Sequence, residues 1–121
     1  MHLDEMGHSD SVVIADAHFP SARLATRLVD LPGTTVTDVL AAIRTVLPLD
    51  DHGPLALMAT PDGGTIAIHD DLIAAARIER GEPRFVDRFE FYERAAEAFV
   101  IIRTGEQRTY ANALLRKGIV T

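Results

Sequence analysis

The chain has 121 residues, a formal charge of −6 and 47% hydrophobic residues, which suits one soluble globular domain and leaves too little length for a second core. Its acidic residues are scattered and its Lys and Arg residues do not cluster, which argues against a nucleic-acid or anionic-membrane surface. The lack of cysteine excludes thiol nucleophiles, disulfides and thiolate metal sites. No apolar run approaches the ~20 residues a bilayer demands and no basic-then-apolar leader opens the chain, so the expected location is the cytoplasm.

In chain order, Ser11 to Ala17 is a continuous apolar, β-branched run that predicts a strand covered on both faces, with Asp16-Ala-His18-Phe-Pro20 emerging at its C-terminal end. In open α/β sheets that end is where ligands bind. Thr37 reads as an N-cap, with Val39, Leu40, Ile43, Val46 and Leu47 at helical spacing until Pro48. Leu55 to Thr60 predicts a second buried strand and Pro61-Asp-Gly-Gly64 its turn; the latter lacks the Lys of a phosphate loop. A second helix is expected over His69 to Arg80, with Gly81 just past its end. Arg84 to Phe89 alternates like a third strand running into a helix over Tyr92 to Ala98, and Phe99 to Ile102 predicts a fourth strand. Thr104-Gly-Glu106 is a turn, and Asn112 to Lys117, backed by Gly118, reads as a last helical turn before a terminal Ile-Val strand. Strands alternating with helices predict a single-domain three-layer α/β sandwich around a central, largely parallel sheet.

Almost every group able to do chemistry lies in two polar, glycine-marked stretches at opposite ends of the chain. His8, in a loop between Gly7 and Ser9-Asp10, is an imidazole suited to proton transfer, although a lone loop histidine is more often simply solvated. Asp16 ends an apolar strand, where a carboxylate without hydrogen-bond partners would cost several kcal/mol, so a partner is required, structural or functional. Arg88 and Tyr92 share one face if helical geometry has begun by Arg88. Tyr110 and Asn112 aim the same way if that segment is extended, whereas a helix would make Asn112 a cap. Gathered by folding, such groups suit a neutral, hydroxyl-rich ligand. Asp16-x-His18 with His8 or His69 also has the residue types of a two-His, one-carboxylate iron site, but so short a match is cheap.

At these residues the chain resembles the L-fucose mutarotase and D-ribose pyranase family. The resemblance is carried by E-M-G-H-S-D at residues 5–10, D-A-H-F-P at 16–20, L-P-L-D at 47–50, R-F-E-F-Y-E-R-A at 88–95 and T-G-E with Y-A-N-A-L-L-R-K-G at 104–118. It covers nearly the whole chain, and His18-Phe19, in place of the Gly-Leu typical of the ribose branch, favours the fucose branch. Only Met1 to Asp4 precede the first motif, where the family usually has a helix. The resemblance implies that His8 is the general acid, that Tyr92 and Asp50 take part in catalysis, and that Asp16, Arg88, Tyr110 and Asn112 contact a monosaccharide. It also implies an α/β sandwich, a homo-oligomer with sites near subunit boundaries, and no cofactor or metal. The activity expected from it is cofactor-free anomer exchange on L-fucose or a related aldose. A non-catalytic sugar-binding module on the same scaffold is the alternative.

Overall fold

Ser11–Ala15 (β1) lies inside a six-stranded sheet in the computed structural model, which describes residues 3–119. The other strands are Leu28–Leu31 (β2), Leu55–Met58 (β3), Pro83–Val86 (β4), Val100–Thr104 (β5) and Ala113–Arg116 (β6). Their order across the sheet is β2-β5-β1-β6-β3-β4. β5 pairs parallel with both β1 and β2, and β3 parallel with β4, while β6 runs antiparallel between β1 and β3. Five strands therefore point one way. The α/β architecture with a central, largely parallel sheet is the one the sequence predicts.

Successive side chains of a strand point to opposite faces, and here both faces are covered. Val12, Ile14, Leu55, Leu57, Val100, Ile102, Ala113 and Leu115 pack with residues of Val36–Arg44 (α2) and Ala67–Ala76 (α3). Val13, Ala15, Ala56, Met58, Ile101 and Leu114 pack on the other side with Phe91 and Ala95 of Arg88–Ala96 (α4), beside the short helix Ser21–Leu24 (α1). Two apolar clusters sandwiching one sheet make the three layers.

Several boundaries differ from expectation. The cap of α2 is Thr35, whose Oγ1 accepts the Asp38 N–H at 3.2 Å; Thr37 lies within the first turn, and the helix stops at Arg44. α3 ends at Arg77, which adopts a left-handed conformation (φ 47°), four residues before Gly81. The third strand is shorter than its alternation suggests. Asp87 caps α4 by accepting the Glu90 N–H at 2.8 Å, so Arg88 is a helical residue and stands one turn before Tyr92. α1 and β2 fall in a segment for which the sequence reading named no element. The largest correction is at the C-terminal end. The residues read as a helical turn form β6, because Leu114 and Leu115 are buried on opposite faces of the sheet and need the two-residue period of a strand. Ile119 is not in a strand, and Val120, the other half of the expected terminal strand, lies outside the described residues. Ahead of Gly7 the described residues include a 3-10 turn over Leu3–Glu5.

Candidate functional site

Because β6 runs against its neighbours, its N-terminal end shares a sheet edge with the C-terminal ends of β1, β3, β4 and β5. Asp16 follows β1 at that edge and is 2% exposed. Its Oδ1 accepts the His18 N–H at 3.0 Å and its Oδ2 the Ala111 N–H at 3.2 Å, while its own N–H donates to Asn112 Oδ1 at 2.8 Å. The partners that the sequence argument requires for this carboxylate are thus two backbone amides. Burial pushes its carboxyl above the ordinary carboxylate range, and these two N–H groups pull it the other way.

Asp16, His18, Phe19, Met58, Arg88, Tyr92, Thr109, Tyr110 and Asn112 surround an open pocket of about 190 Å³. Tyr92 is braced by Phe19, whose ring meets it edge-on at 5.4 Å and meets Phe91 in the same way at 5.6 Å. A larger cavity of about 390 Å³ adjoins the pocket and shares Arg88 and Tyr110 with it; Pro61, Phe85 and Phe89 give it an apolar wall. The Arg88 guanidinium lies 5.2 Å from the Phe89 ring centre. Asn112 has spent its oxygen on Asp16, and its Nδ2 has only a weak 4.0 Å contact with Met58 Sδ, which leaves an amide donor facing the pocket.

His8 and Asp50 lie at the other edge. The loop holding His8 precedes β1 and is fastened by three bonds: the Gly7 N–H to Asp10 Oδ2 at 2.8 Å, the Ser9 N–H to the Lys117 carbonyl at 2.8 Å, and the buried Lys117 ammonium to the Met6 carbonyl. His8 is half exposed, with Nε2 3.5 Å from Asp50 Oδ2. Asp50 also accepts the His52 N–H at 3.2 Å and the Ser9 hydroxyl at 3.1 Å, and faces the Arg116 guanidinium at 3.4 Å. The His52 amide foremost, then Ser9, Arg116 and His8, hold the Asp50 carboxyl below its usual range despite some desolvation.

The expected residues therefore form two groups in one chain. Asp16, Arg88, Tyr92, Tyr110 and Asn112 converge, and His8 and Asp50 pair with each other, but β1 separates the groups by roughly 17 Å at ~3.3 Å per residue. Asp50, not Tyr92, is the partner beside His8 within a chain. Asn112 is not a helix cap. Among the described residues no three His, Asp or Glu side chains converge as a metal set. His18, weighed from sequence as a metal ligand and as a mark of the fucose branch, lines the pocket and points its Nε2–H at the Gln107 carbonyl at 2.9 Å.

The pattern of the RbsD / FucU transport protein family matches residues 1–120. The chain belongs to that family. A fucose mutarotase from Streptococcus pneumoniae, solved with L-fucose, superposes with a TM-score of 0.88 at 35% identity, over 98% of this chain and 89% of the other. FucU from Bifidobacterium longum gives a TM-score of 0.88 at 38% identity over 98% and 91%. RbsD from Bacillus subtilis, complexed with D-ribose, gives 0.82 at 26% over 98% and 89%. The solved relatives thus include a fucose mutarotase seen with L-fucose and an RbsD seen with D-ribose, and in this chain the corresponding fold carries a polar pocket at the C-terminal sheet edge.

Proposed function

We propose that this chain is a cofactor-independent mutarotase that interconverts the α and β anomers of L-fucose or a related aldose. The observation that carries this reading is the convergence of Asp16, Arg88, Tyr92, Tyr110 and Asn112 on one pocket, a set of donors and acceptors suited to hydroxyl groups. The apolar wall of Pro61, Phe85 and Phe89 next to it suits a sugar with a deoxygenated edge and favours L-fucose over D-ribose.

Exchanging anomers requires opening a cyclic hemiacetal. A proton goes to the ring oxygen, another leaves the anomeric hydroxyl, the C–O bond breaks, the carbonyl rotates, and the steps reverse. No electron transfer or covalent intermediate is needed. In this reading His8 is the general acid, with Asp50 orienting its imidazole, and Tyr92 serves the second proton transfer. Arg88, Tyr110, Asn112 and Asp16 fix the hydroxyls so that the reacting atoms meet these groups in one geometry. Since one chain keeps His8 and Asp50 at the far edge, the reading includes a homo-oligomer in which a second copy brings that edge to the pocket.

The test is saturation-transfer NMR on L-fucose at equilibrium, irradiating one anomeric proton and observing the other with and without protein. Protein-dependent transfer is expected, and His8→Ala should keep the fold while cutting exchange by ~10²–10⁴-fold. Undiminished exchange in that variant removes His8 from the mechanism. The separation of His8 from the pocket within one chain favours a second reading, a sugar-binding module without catalysis. Saturable binding of L-fucose, with exchange of L-fucose, D-ribose and D-galactose no faster than in buffer, would establish that reading instead.

A further inference from the structure

His69 lines neither cavity and is fully buried, at 0% exposed, yet both of its ring nitrogens are engaged. The Ile66 N–H donates to Nδ1 at 3.1 Å, so Nδ1 carries no proton, and Nε2–H donates to the Tyr110 carbonyl at 3.2 Å. The N–H of that same Tyr110–Ala111 peptide donates to Asp16 Oδ2 at 3.2 Å. One peptide unit is therefore gripped at both polar atoms, by α3 on one side and by the end of β1 on the other.

The grip coincides with a backbone conformation that needs holding. Tyr110 has φ +59°, a left-handed geometry unusual for a bulky residue, which persists only where its surroundings enforce it. The Tyr110 side chain stands between the two cavities and borders both. The His69 ring also meets Phe85 edge-on at 5.3 Å, and Phe85 belongs to the apolar wall. A single buried ring thus supports two aromatic walls without touching the space they enclose.

We infer that His69 is a positioning residue, which fixes the Tyr110–Ala111 peptide against Asp16 and so sets where the Tyr110 side chain meets the ligand; its effect on sugar rests on the reading of the pocket given above. With the Tyr110 carbonyl released, the peptide can rotate out of the left-handed conformation and carry the phenol away from the boundary between the cavities. The role differs from helix capping, in which only the Nδ1 bond to Ile66 would matter.

Two substitutions separate the roles. In His69→Asn the amide oxygen replaces Nδ1 and keeps the Ile66 bond, but nothing reaches Tyr110. In His69→Gln the amide nitrogen replaces Nε2 and keeps the Tyr110 bond. L-Fucose titrated into each should bind His69→Gln within about threefold of the unmodified chain and His69→Asn roughly tenfold or more weaker, since small misplacements of a binding group are costly. Equal losses in both, or full affinity in His69→Asn, overturn the inference.

If His69→Asn does not fold, NMR of the unmodified chain with 15N-labelled histidine decides. A His69 Nε2–H tautomer and a slowly exchanging Ala111 amide support the inference; an Nδ1–H tautomer or a rapidly exchanging Ala111 amide overturns it. If the unmodified chain binds no L-fucose, the proposed function fails separately. The Ala111 amide and Tyr110 ring signals then judge the inference, which stands if they move in His69→Asn but not in His69→Gln and falls if they move in neither or in both.

Discussion

Two buried carboxylates at opposite edges of one sheet respond to acid with opposite sign. Asp50 is held below its ordinary range, so its stabilising contribution is fully present above the unfolded value of ~3.9 and is lost as pH falls through its lower folded value. Asp16 is pushed up by burial. Its contribution is present below the unfolded value and lost as pH rises through its folded value. Urea midpoints measured from pH 6 to pH 2.5 should therefore fall less steeply below pH ~4 in Asp50→Asn than in the unmodified chain. An identical acid limb would mean that Asp50 is not stabilised as its four partners imply. Asn112 offers a sharper test of a single contact. It is the acceptor for the buried Asp16 N–H, and an unsatisfied buried donor costs about 1–3 kcal/mol. Asn112→Ala should lower unfolding free energy by that amount and weaken L-fucose binding in a parallel titration, whereas a change in stability under 0.5 kcal/mol would be too small for this account.

Elements with an unambiguous period were legible in the sequence and those with mixed signals were not. The buried run of β1, the apolar stripe of α2 and the buried run of β3 each carry one period, and each lies where it was expected, give or take a few residues. Helix ends were missed where a side chain other than the obvious one did the capping, as with Thr35, or where a non-glycine residue took the left-handed turn, as with Arg77. β6 was missed because Ala-Leu-Leu-Arg-Lys has high helix propensity, and its two-residue burial exists only between β1 and β3. Gly118 then looked like the stop of that helix. It serves instead for close approach: its N–H donates to the Pro48 carbonyl at 2.9 Å, and a Cβ there would collide with the Leu49 carbonyl and crowd the Asp50 amide. Gly118→Ala should cost about 1–3 kcal/mol by forcing the Pro48–Asp50 segment away from the end of β6. Because the displaced segment carries Asp50, it should also slow anomer exchange more than it weakens L-fucose binding. Equal effects on rate and affinity would show that the Asp50 segment is not part of the acid machinery.

Across the whole molecule, the motifs carried no information on which edge of the sheet each residue would occupy. Strand direction supplies it. E-M-G-H-S-D enters β1 and D-A-H-F-P leaves it, so the two motifs stand a strand's length apart whatever the rest of the chain does. Arg88, Tyr92, Tyr110 and Asn112 join the exit side because β4 points the same way as β1 and β6 the opposite way. In the proposed mutarotase His8 comes from one copy and Arg88 from another, and that arrangement has a signature no single-chain site can mimic. His8→Ala and Arg88→Ala oligomers should each be nearly inactive in saturation transfer on L-fucose. Mixed in equal amounts, unfolded and refolded together, they should regain exchange, because a boundary formed by intact His8 from one variant and intact Arg88 from the other is a complete site. Random assortment in a symmetric oligomer makes about a quarter of the boundaries complete, so the recovered rate per chain should approach about one quarter of that of the unmodified protein. Recovery should be missing when the variants are mixed without unfolding if subunits exchange slowly. No recovery after joint refolding into oligomers of the original size would place both residues at the same chain's site and end the two-copy arrangement.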